Sequence, residues 1–373
     1  MAEAGKEGRA APGGPLMLGD HAPWFRAAAL SGSPSYQFDT VAGRHILMLF
    51  FGSARHEAAR GALAAVERER ALFDDVAACF FGVTVDPEDV KAGRVAQQLP
   101  GVRFFLDFDR NVSALYGAIE GERYRPHWLL LDPALRVIGG FAIDQSEQAI
   151  AALRQRIAAS GDDRWAPVLV VPDVFEPQMC DALISLYEKD GGEPSGFMRE
   201  VDGKTTLQVD PAHKQRRDAE IEDEALRRQL AARMSRRLSP AVERAFQFHP
   251  TRIERYIVAC YDAGAGYFRP HRDNTTKGTA HRKFAVTINL NAEDYDGGDL
   301  RFPEYGQRTY RAPTGGAVVF SCSLLHEATP VTRGRRFAFL PFLYDEEGAR
   351  LREANNPHLG EGVGAYRMSE AKT

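Results

Sequence analysis

Apolar residues follow three different rhythms along this chain. In the first 160 residues two continuous apolar runs, HILMLFF from His45 and ACFFGVTVD from Ala78, read as strands buried on both faces. Between them EAARGALAAVERERALF, residues 57–73, reads as an Ala-rich helix. VRFFLD then gives a short strand, HWLLLDPALRVIGGFA a hairpin, and 146–158 a closing helix. Alternation of this kind predicts a central sheet covered by helices.

The second rhythm is helical. GDDRWAP, 161–167, has the small, polar and proline character of a linker. VLVVPDVF reads as a strand. Pro177 then opens a helix with Met179, Leu183 and Tyr187 on one face and a glycine stop. Residues 190–217 are polar, low in periodicity and end in HKQRR, a charge run expected to be solvated. In DAEIEDEALRRQLAARMSRRLSP, Leu226, Leu230, Met234 and Leu238 stand four apart, with acids first and arginines last. That spacing predicts an amphipathic helix packed on a core and ended by Pro240. The third rhythm, short strands with glycine turns, runs from Thr251 to about Tyr344 and predicts a compact β-barrel or sandwich, followed by a polar tail.

Composition narrows the class. A length of 373 residues predicts two domains, and 44% hydrophobic with 26% charged residues is ordinary for a soluble globular protein. A net charge of −4 gives no electrostatic reason to expect nucleic acid. Four cysteines, Cys79, Cys180, Cys260 and Cys322, lie far apart without a CxxC, which points to a reducing cytoplasm. Residues 1–18, rich in Ala, Gly and charge, are expected to be disordered and lack an apolar core for export. The longest apolar run, Ile46–Phe51, is too short to span a bilayer, so no membrane role is expected.

Candidate chemistry concentrates in CYDAGAGYFRPHRDN, 260–274, and LLHEATPVTRGRRFAF, 324–339. In a strand, side chains alternate, so His271 and Asp273 share a face while Arg272 points away. His326 stands where the apolarity of PTGGAVVFSCSLL stops and is the candidate third ligand. Two imidazoles and a carboxylate on one side of an ion, the other side open, form the facial triad of non-haem Fe(II) oxygenases. Arg336, ten residues beyond His326, directly precedes an apolar strand, and its fork of donors suits a dicarboxylic cosubstrate. Arg333 and Arg335 are expected to face solvent. Asn274, His281 and Asn289 are within sequence reach of the site and are read as structural.

Two resemblances extend this. GDHAPWF (19–25), LFFGSARHEAARGAL (49–63), VTVDPED (83–89) and RPHWLLLDP (125–133) resemble a thioredoxin-fold, peroxiredoxin-like domain covering 19–160. The resemblance implies a cis Pro126 and a thiolate at the start of the first long helix, where this chain has no cysteine. It therefore implies a scaffold or docking module, with Cys79 an inert thiol inside a strand and His56 an exposed polar residue. Residues 168–350, with a core at 251–344, are similar to the 2-oxoglutarate and Fe(II)-dependent dioxygenases, in particular the prolyl 4-hydroxylase-like branch. The motifs are YDAGAGYFRPHRDN, YDGGDLRF, PTGGAVVF and LLHEATPVTRGRRFAF.

The expected fold is thus an α/β thioredoxin-like domain followed by an α+β double-stranded β-helix (jelly-roll) domain with supporting helices and a tail over 351–373. The second resemblance implies iron held by His271, Asp273 and His326, 2-oxoglutarate held by Arg336 with Tyr261 near it, and ascorbate as reductant. It implies conversion of 2-oxoglutarate to succinate and carbon dioxide as substrate is hydroxylated. The branch's cosubstrate-binding tyrosine is missing at Ile288 or Asn289. The substrate, a prolyl residue in a peptide or a small molecule, has no readable code in 190–217 or 274–281, and the oligomeric state has none anywhere. A hydrolytic zinc site, a non-catalytic metal-binding or scaffold protein and a thiol peroxidase are the rival readings.

Overall fold

The computed structural model describes residues 15–159 and 164–368. Of the segments expected to be irregular, 1–14, 161–163 and 369–373 lie outside the described residues. The chain separates into two compact units, one ending at Arg164 and including Pro303–Gly306, the other Trp165–Phe302 with Gln307 onward.

In the first unit, strands β1 (His45–Gly52) and β2 (Ala78–Thr84) are buried along their whole length, as continuous apolarity requires. β3 (Val102–Leu106) lies parallel to β2, and the hairpin β4 (His127–Leu131) and β5 (Val137–Ala142) runs antiparallel beside β1, giving the order β3-β2-β1-β4-β5. Alternation divides the strands between two cores. Leu47, Leu49 and Phe51 pack with Phe80 and Trp128 under α1 (Glu57–Arg68) and α2 (Ser146–Ala159). The small residues Ala59, Ala62 and Ala65 form the buried face of α1 and let it approach the sheet closely. On the other face Phe50 stacks on Tyr116 at 5.2 Å and Phe81 on Phe105 at 4.9 Å.

The turn before α1 holds no thiol. Instead Ser53 donates to Asp86 at 2.7 Å, and the Ala54 N–H donates to the fully buried Asp89 at 3.0 Å. Thr84 and Arg94 also donate to Asp89, each at 2.7 Å, so the turn is tied to a satisfied carboxylate. Pro126 is not the cis proline that was expected: among the described residues the cis bond is Leu99–Pro100. Pro126, trans, directly precedes β4.

The second unit places helices against a large antiparallel sheet. β6 (Leu169–Val171) precedes α3 (Pro177–Asp190), which starts with proline and ends at Gly191, φ 85°, with Met179, Leu183 and Tyr187 buried. Residues 190–217, expected as a solvated loop, contain the hairpin β7 (Phe197–Val201) and β8 (Lys204–Gln208) and the short strand β9 (Lys214–Gln215). β10 (Arg217–Glu220) follows and joins the large sheet. The leucine stripe does pack on the core, but Pro240 does not end it. α4 (Glu224–Arg233) passes through a π-helical turn at Met234–Leu238 into α5 (Ser239–Phe246), where Pro240 occupies the first turn and needs no donor.

Further strands of the two sheets are β11 (Arg252–Glu254), β12 (Ile257–Asp262), β13 (Tyr267–His271), β14 (Phe284–Asn289), β15 (Leu300–Arg301), β16 (Thr309–Tyr310), β17 (Ala317–Ser321), β18 (His326–Ala328), β19 (Arg335–Phe339) and β20 (Phe342–Tyr344). The large sheet runs β6-β17-β14-β19-β12-β10, with β11 and β20 paired beside β14; a smaller one runs β9-β13-β18-β15-β16. In β12, Val258 and Cys260 join the core under the helices, whereas Ala259 and Tyr261 join a second cluster with Phe268 and Ala328 of the smaller sheet. The candidate functional residues Tyr261 and Arg336 lie on that inner side. The expected polar tail is in part folded: Asp345 caps α6 (Glu346–Ala354), and Gly360 N–H donates to Thr205 O at 2.8 Å.

All four cysteines are free and buried, and burial pushes the Cys79 thiol up to about 12. Iodoacetamide at pH 8 is expected to label none of them in the folded protein and all of them after denaturation, by mass spectrometry. Labelling of Cys79 without denaturant would mean that its strand is open.

Candidate metal centre

β13 and β18 are antiparallel neighbours whose register sets His271 opposite His326, with ring centroids 4.3 Å apart. Strand β13 stops at His271, and Asp273 lies in the turn that follows. The turn, rather than strand alternation, therefore returns the carboxylate to the histidines. Asp273 N–H donates to Cys322 O at 3.0 Å, which anchors that turn to the segment leading into β18. The carboxylate oxygens then lie 3.6 Å from His271 Nε2 and 3.3 Å from His326 Nε2. One ligand atom from each residue falls within 4.8 Å of the others, close enough to share an ion.

Backbone carbonyls fix the tautomers. His271 Nδ1 is 2.8 Å from Arg269 O and His326 Nδ1 is 3.0 Å from Leu324 O. A carbonyl only accepts, so each Nδ1 carries the proton and each Nε2 keeps its lone pair for a metal. Burial, and then the charge of His326, push the His271 imidazole down to about 4. Burial acts to raise Asp273, but His326, His271 and Arg282 together hold its carboxyl well below the usual range. These are the deprotonated forms that metal binding needs.

Arg336 stands on β19 directly opposite Tyr261 of β12, and its guanidinium lies 4.9 Å from the Tyr261 ring. Phe337 and Phe339 belong to the core under the helices, so alternation turns Arg336 to the inner side, where it is only 2% exposed. Its Nε and Nη1 have no hydrogen-bond partner. A buried cation with unfilled donors is destabilising by about 1–3 kcal/mol or more unless an anion joins it. The site thus fits a carboxylate-bearing cosubstrate. Close approach is secured by Gly298, φ 67°, where a Cβ would lie 3.1 Å from Arg336 Cδ. Arg333 and Arg335 reach outward to Asp296 and Glu188.

A cavity of about 60 Å³ brings His271, Asp273, His326, Arg336 and Tyr261 together. Where the resemblance implies a tyrosine, Ile288 faces the helix-side core and Asn289 donates to Ala312 O at 2.7 Å. The buried Tyr295 lies beside Arg336 instead, its hydroxyl raised by burial and opposed by that guanidinium. Asn274 donates to Ser323 Oγ at 2.9 Å and His281 pairs with Glu254 at 2.7 Å, so both are structural.

Sequence reasoning missed Arg216. It sits in the run expected to be solvated, yet Lys214 and Arg216 are buried while Arg217 is exposed. Arg216 grips Asp218 through two bonds, at 2.7 and 2.6 Å, and reaches the Tyr261 hydroxyl at 3.3 Å. The alternation of cations at 214 and 216 was the available signal. Also missed was Glu254, which accepts from Arg282 at 3.0 and 2.7 Å as well as meeting His281.

Two histidines and a carboxylate beside an unfilled buried cation have the composition of a non-haem iron oxygenase site. A model of the 2OG-Fe(II) oxygenase superfamily matches residues 256–344. The chain is 31% identical over 180 residues to a PKHD-type hydroxylase of Paracoccus denitrificans (strain Pd 1222), covering 46% of this chain and 75% of the relative. A PKHD-type hydroxylase of Synechococcus sp. (strain JA-2-3B'a(2-13)) is 29% identical over 181 residues, with the same shares of 46% and 75%. Among solved structures, a Pseudomonas putida prolyl-4-hydroxylase aligns with 48% of this chain and 93% of its own, at 20% identity and a TM-score of 0.37. Peroxidoxin BcpB from Mycobacterium tuberculosis aligns with 38% of this chain and 97% of its own, at 17% identity and a TM-score of 0.32. The chain belongs to the 2OG-Fe(II) oxygenase superfamily.

Arg282 links Glu254 to the turn that carries Asp273, through Nη1 to Asp273 O at 3.4 Å. Glu254→Gln, which strands Arg282 as an uncompensated buried charge, is expected to lower stability to denaturant by about 3–5 kcal/mol. Glu346→Gln, which breaks the more exposed and water-screened pair with Arg252, should cost far less. Equal losses would remove Glu254 from the support of the site.

Proposed function

We propose that the second unit is an Fe(II)- and 2-oxoglutarate-dependent hydroxylase in which His271, Asp273 and His326 hold the iron and Arg336 takes the far carboxylate of 2-oxoglutarate. The observation that carries this reading is the buried guanidinium with two unfilled donors in one cavity with the three ligand residues. When bound, iron and 2-oxoglutarate supply the oxidation, with succinate and carbon dioxide as coproducts, and ascorbate keeps the iron reduced.

The chain's own residues do the rest. The carbonyls of Arg269 and Leu324 hold both imidazoles in the ligating tautomer. Phe268, Phe320 and Leu300 line the cavity and keep bulk water from it. Tyr261, held by Arg216, forms a wall beside the 2-oxoglutarate chain. The two facing sheets are read as a double-stranded β-helix within 168–350, and 19–160 as a thioredoxin-like scaffold or docking module. The parallel β3-β2-β1 order with its antiparallel hairpin supports the latter. The substrate is a small molecule or peptide, and a cytoplasmic location suits the four unpaired cysteines. No helix among the described residues is long and apolar enough to cross a membrane.

Anaerobic addition of Fe(II) and 2-oxoglutarate is expected to give a visible charge-transfer band. His271→Ala should abolish it, and Arg336→Ala should raise the half-saturating 2-oxoglutarate concentration by at least about tenfold. No band with the intact protein would sink the assignment.

A further inference from the structure

A second and larger cavity, about 380 Å³, shares Phe268, His271, Asp273 and Arg255 with the metal cavity. Its size and position make it the place for the substrate. Several buried charges line or back it, and most are neutralised locally. Asp218 is bound in two places by Arg216, Glu254 by Arg282, and Asp273 faces the two histidines. Glu193 and Glu220 also line the cavity, but both are exposed and screened by water.

Among the described residues, Lys214 and Arg255 line this cavity without a carboxylate of their own. Lys214 is 5% exposed and donates to Ser195 Oγ at 2.7 Å and Gly196 O at 2.5 Å, and no carboxylate among the described residues pairs with it. Its ammonium lies 4.8 Å over the Phe268 ring, which in turn stacks on His271. Arg255, half-buried, reaches the already occupied Asp218 at 3.4 Å and the face of Phe342 at 5.3 Å. Its backbone has φ 70°, a left-handed conformation that a long side chain rarely adopts, between β11 and β12. Ser195 and Asp218 join the two: Ser195 Oγ donates to Asp218 Oδ2 at 2.5 Å, and Asp218 Oδ2 meets Arg255. Both cations are therefore held on one wall of the cavity, with Lys214 one aromatic ring from the candidate ligand His271.

We propose that Lys214 and Arg255 form an oxyanion site, so that the substrate is a small molecule with a carboxylate or phosphate-like group docked there. This deepens the hydroxylase reading and rests on it. The anion would supply the counter-charge that the fold omits, and it would fix the distance from the charged end of the substrate to the ligand residues. Burial, followed by the charge of Arg216, pushes the Lys214 ammonium well below its ordinary range, a strain that an anion relieves.

The test is anaerobic calorimetry on the full chain loaded with Fe(II) and 2-oxoglutarate, titrated with sodium benzoate, sodium sulfate and neutral benzamide. Saturable binding of benzoate or sulfate, and none of benzamide, is expected. Benzoate alone would mark a carboxylate, and sulfate alone a tetrahedral oxyanion. Lys214→Met and Arg255→Gln should each weaken that binding by about tenfold or more, while Lys214→Met keeps the charge-transfer band. No saturable anion binding, equal binding of benzamide, unchanged affinity in both variants, or loss of the band in Lys214→Met would overturn the proposal. Absence of the band in the unsubstituted protein would instead overturn the hydroxylase reading.

Discussion

The second unit depends on keeping permanent charge inside a β structure, in a cavity shared with apolar side chains and the His271, Asp273 and His326 cluster. Arg336 and Arg216 are both almost sealed from water, and each leans on Tyr261. A guanidinium in that position demands partners on every side. Asp218 answers Arg216, whereas Arg336 keeps donors free. The histidine pair, the carboxylate turn and the Glu254–Arg282 support are arranged around the space that this unfilled charge leaves.

Much of this was legible from residue order alone because strands have a period of two. The apolar runs from His45 and Ala78 could only be interior strands, and the stripe Leu230, Met234, Leu238 could only be a helix face. His326 was marked by the place where apolarity stops, and Arg336 by the strand it introduces. What remained hidden depended on contacts between distant segments. Lys214 and Arg216 look solvated in HKQRR, and only the pairing of β9 with β13 draws them inward. Pro240 looks like a stop signal, but a proline also suits the first turn of a new helix. Asp273 was placed on the correct side for the wrong reason, because the strand ends at His271 and a turn does the work.

The first unit is a contrast. Its sheet is sealed by aromatic stacks and an alanine helix face, and its buried carboxylates, Asp89 among them, are fully engaged by neighbours. Polar groups there brace turns. In the second unit some cations keep donors free and face cavities. That difference, more than any single motif, sets the two units apart.

The opening strand Leu169–Val171 pairs with Ala317–Val319, which leave the ribosome almost 150 residues later. The sheet edge nearest the start of this unit must therefore stay unpaired through most of its synthesis. Such long-range closure is slow and exposes strand edges to neighbours. Of the candidate ligands, His271 and Asp273 precede that late strand and His326 follows it, so the candidate metal centre is complete only once the partner of the opening strand has been made.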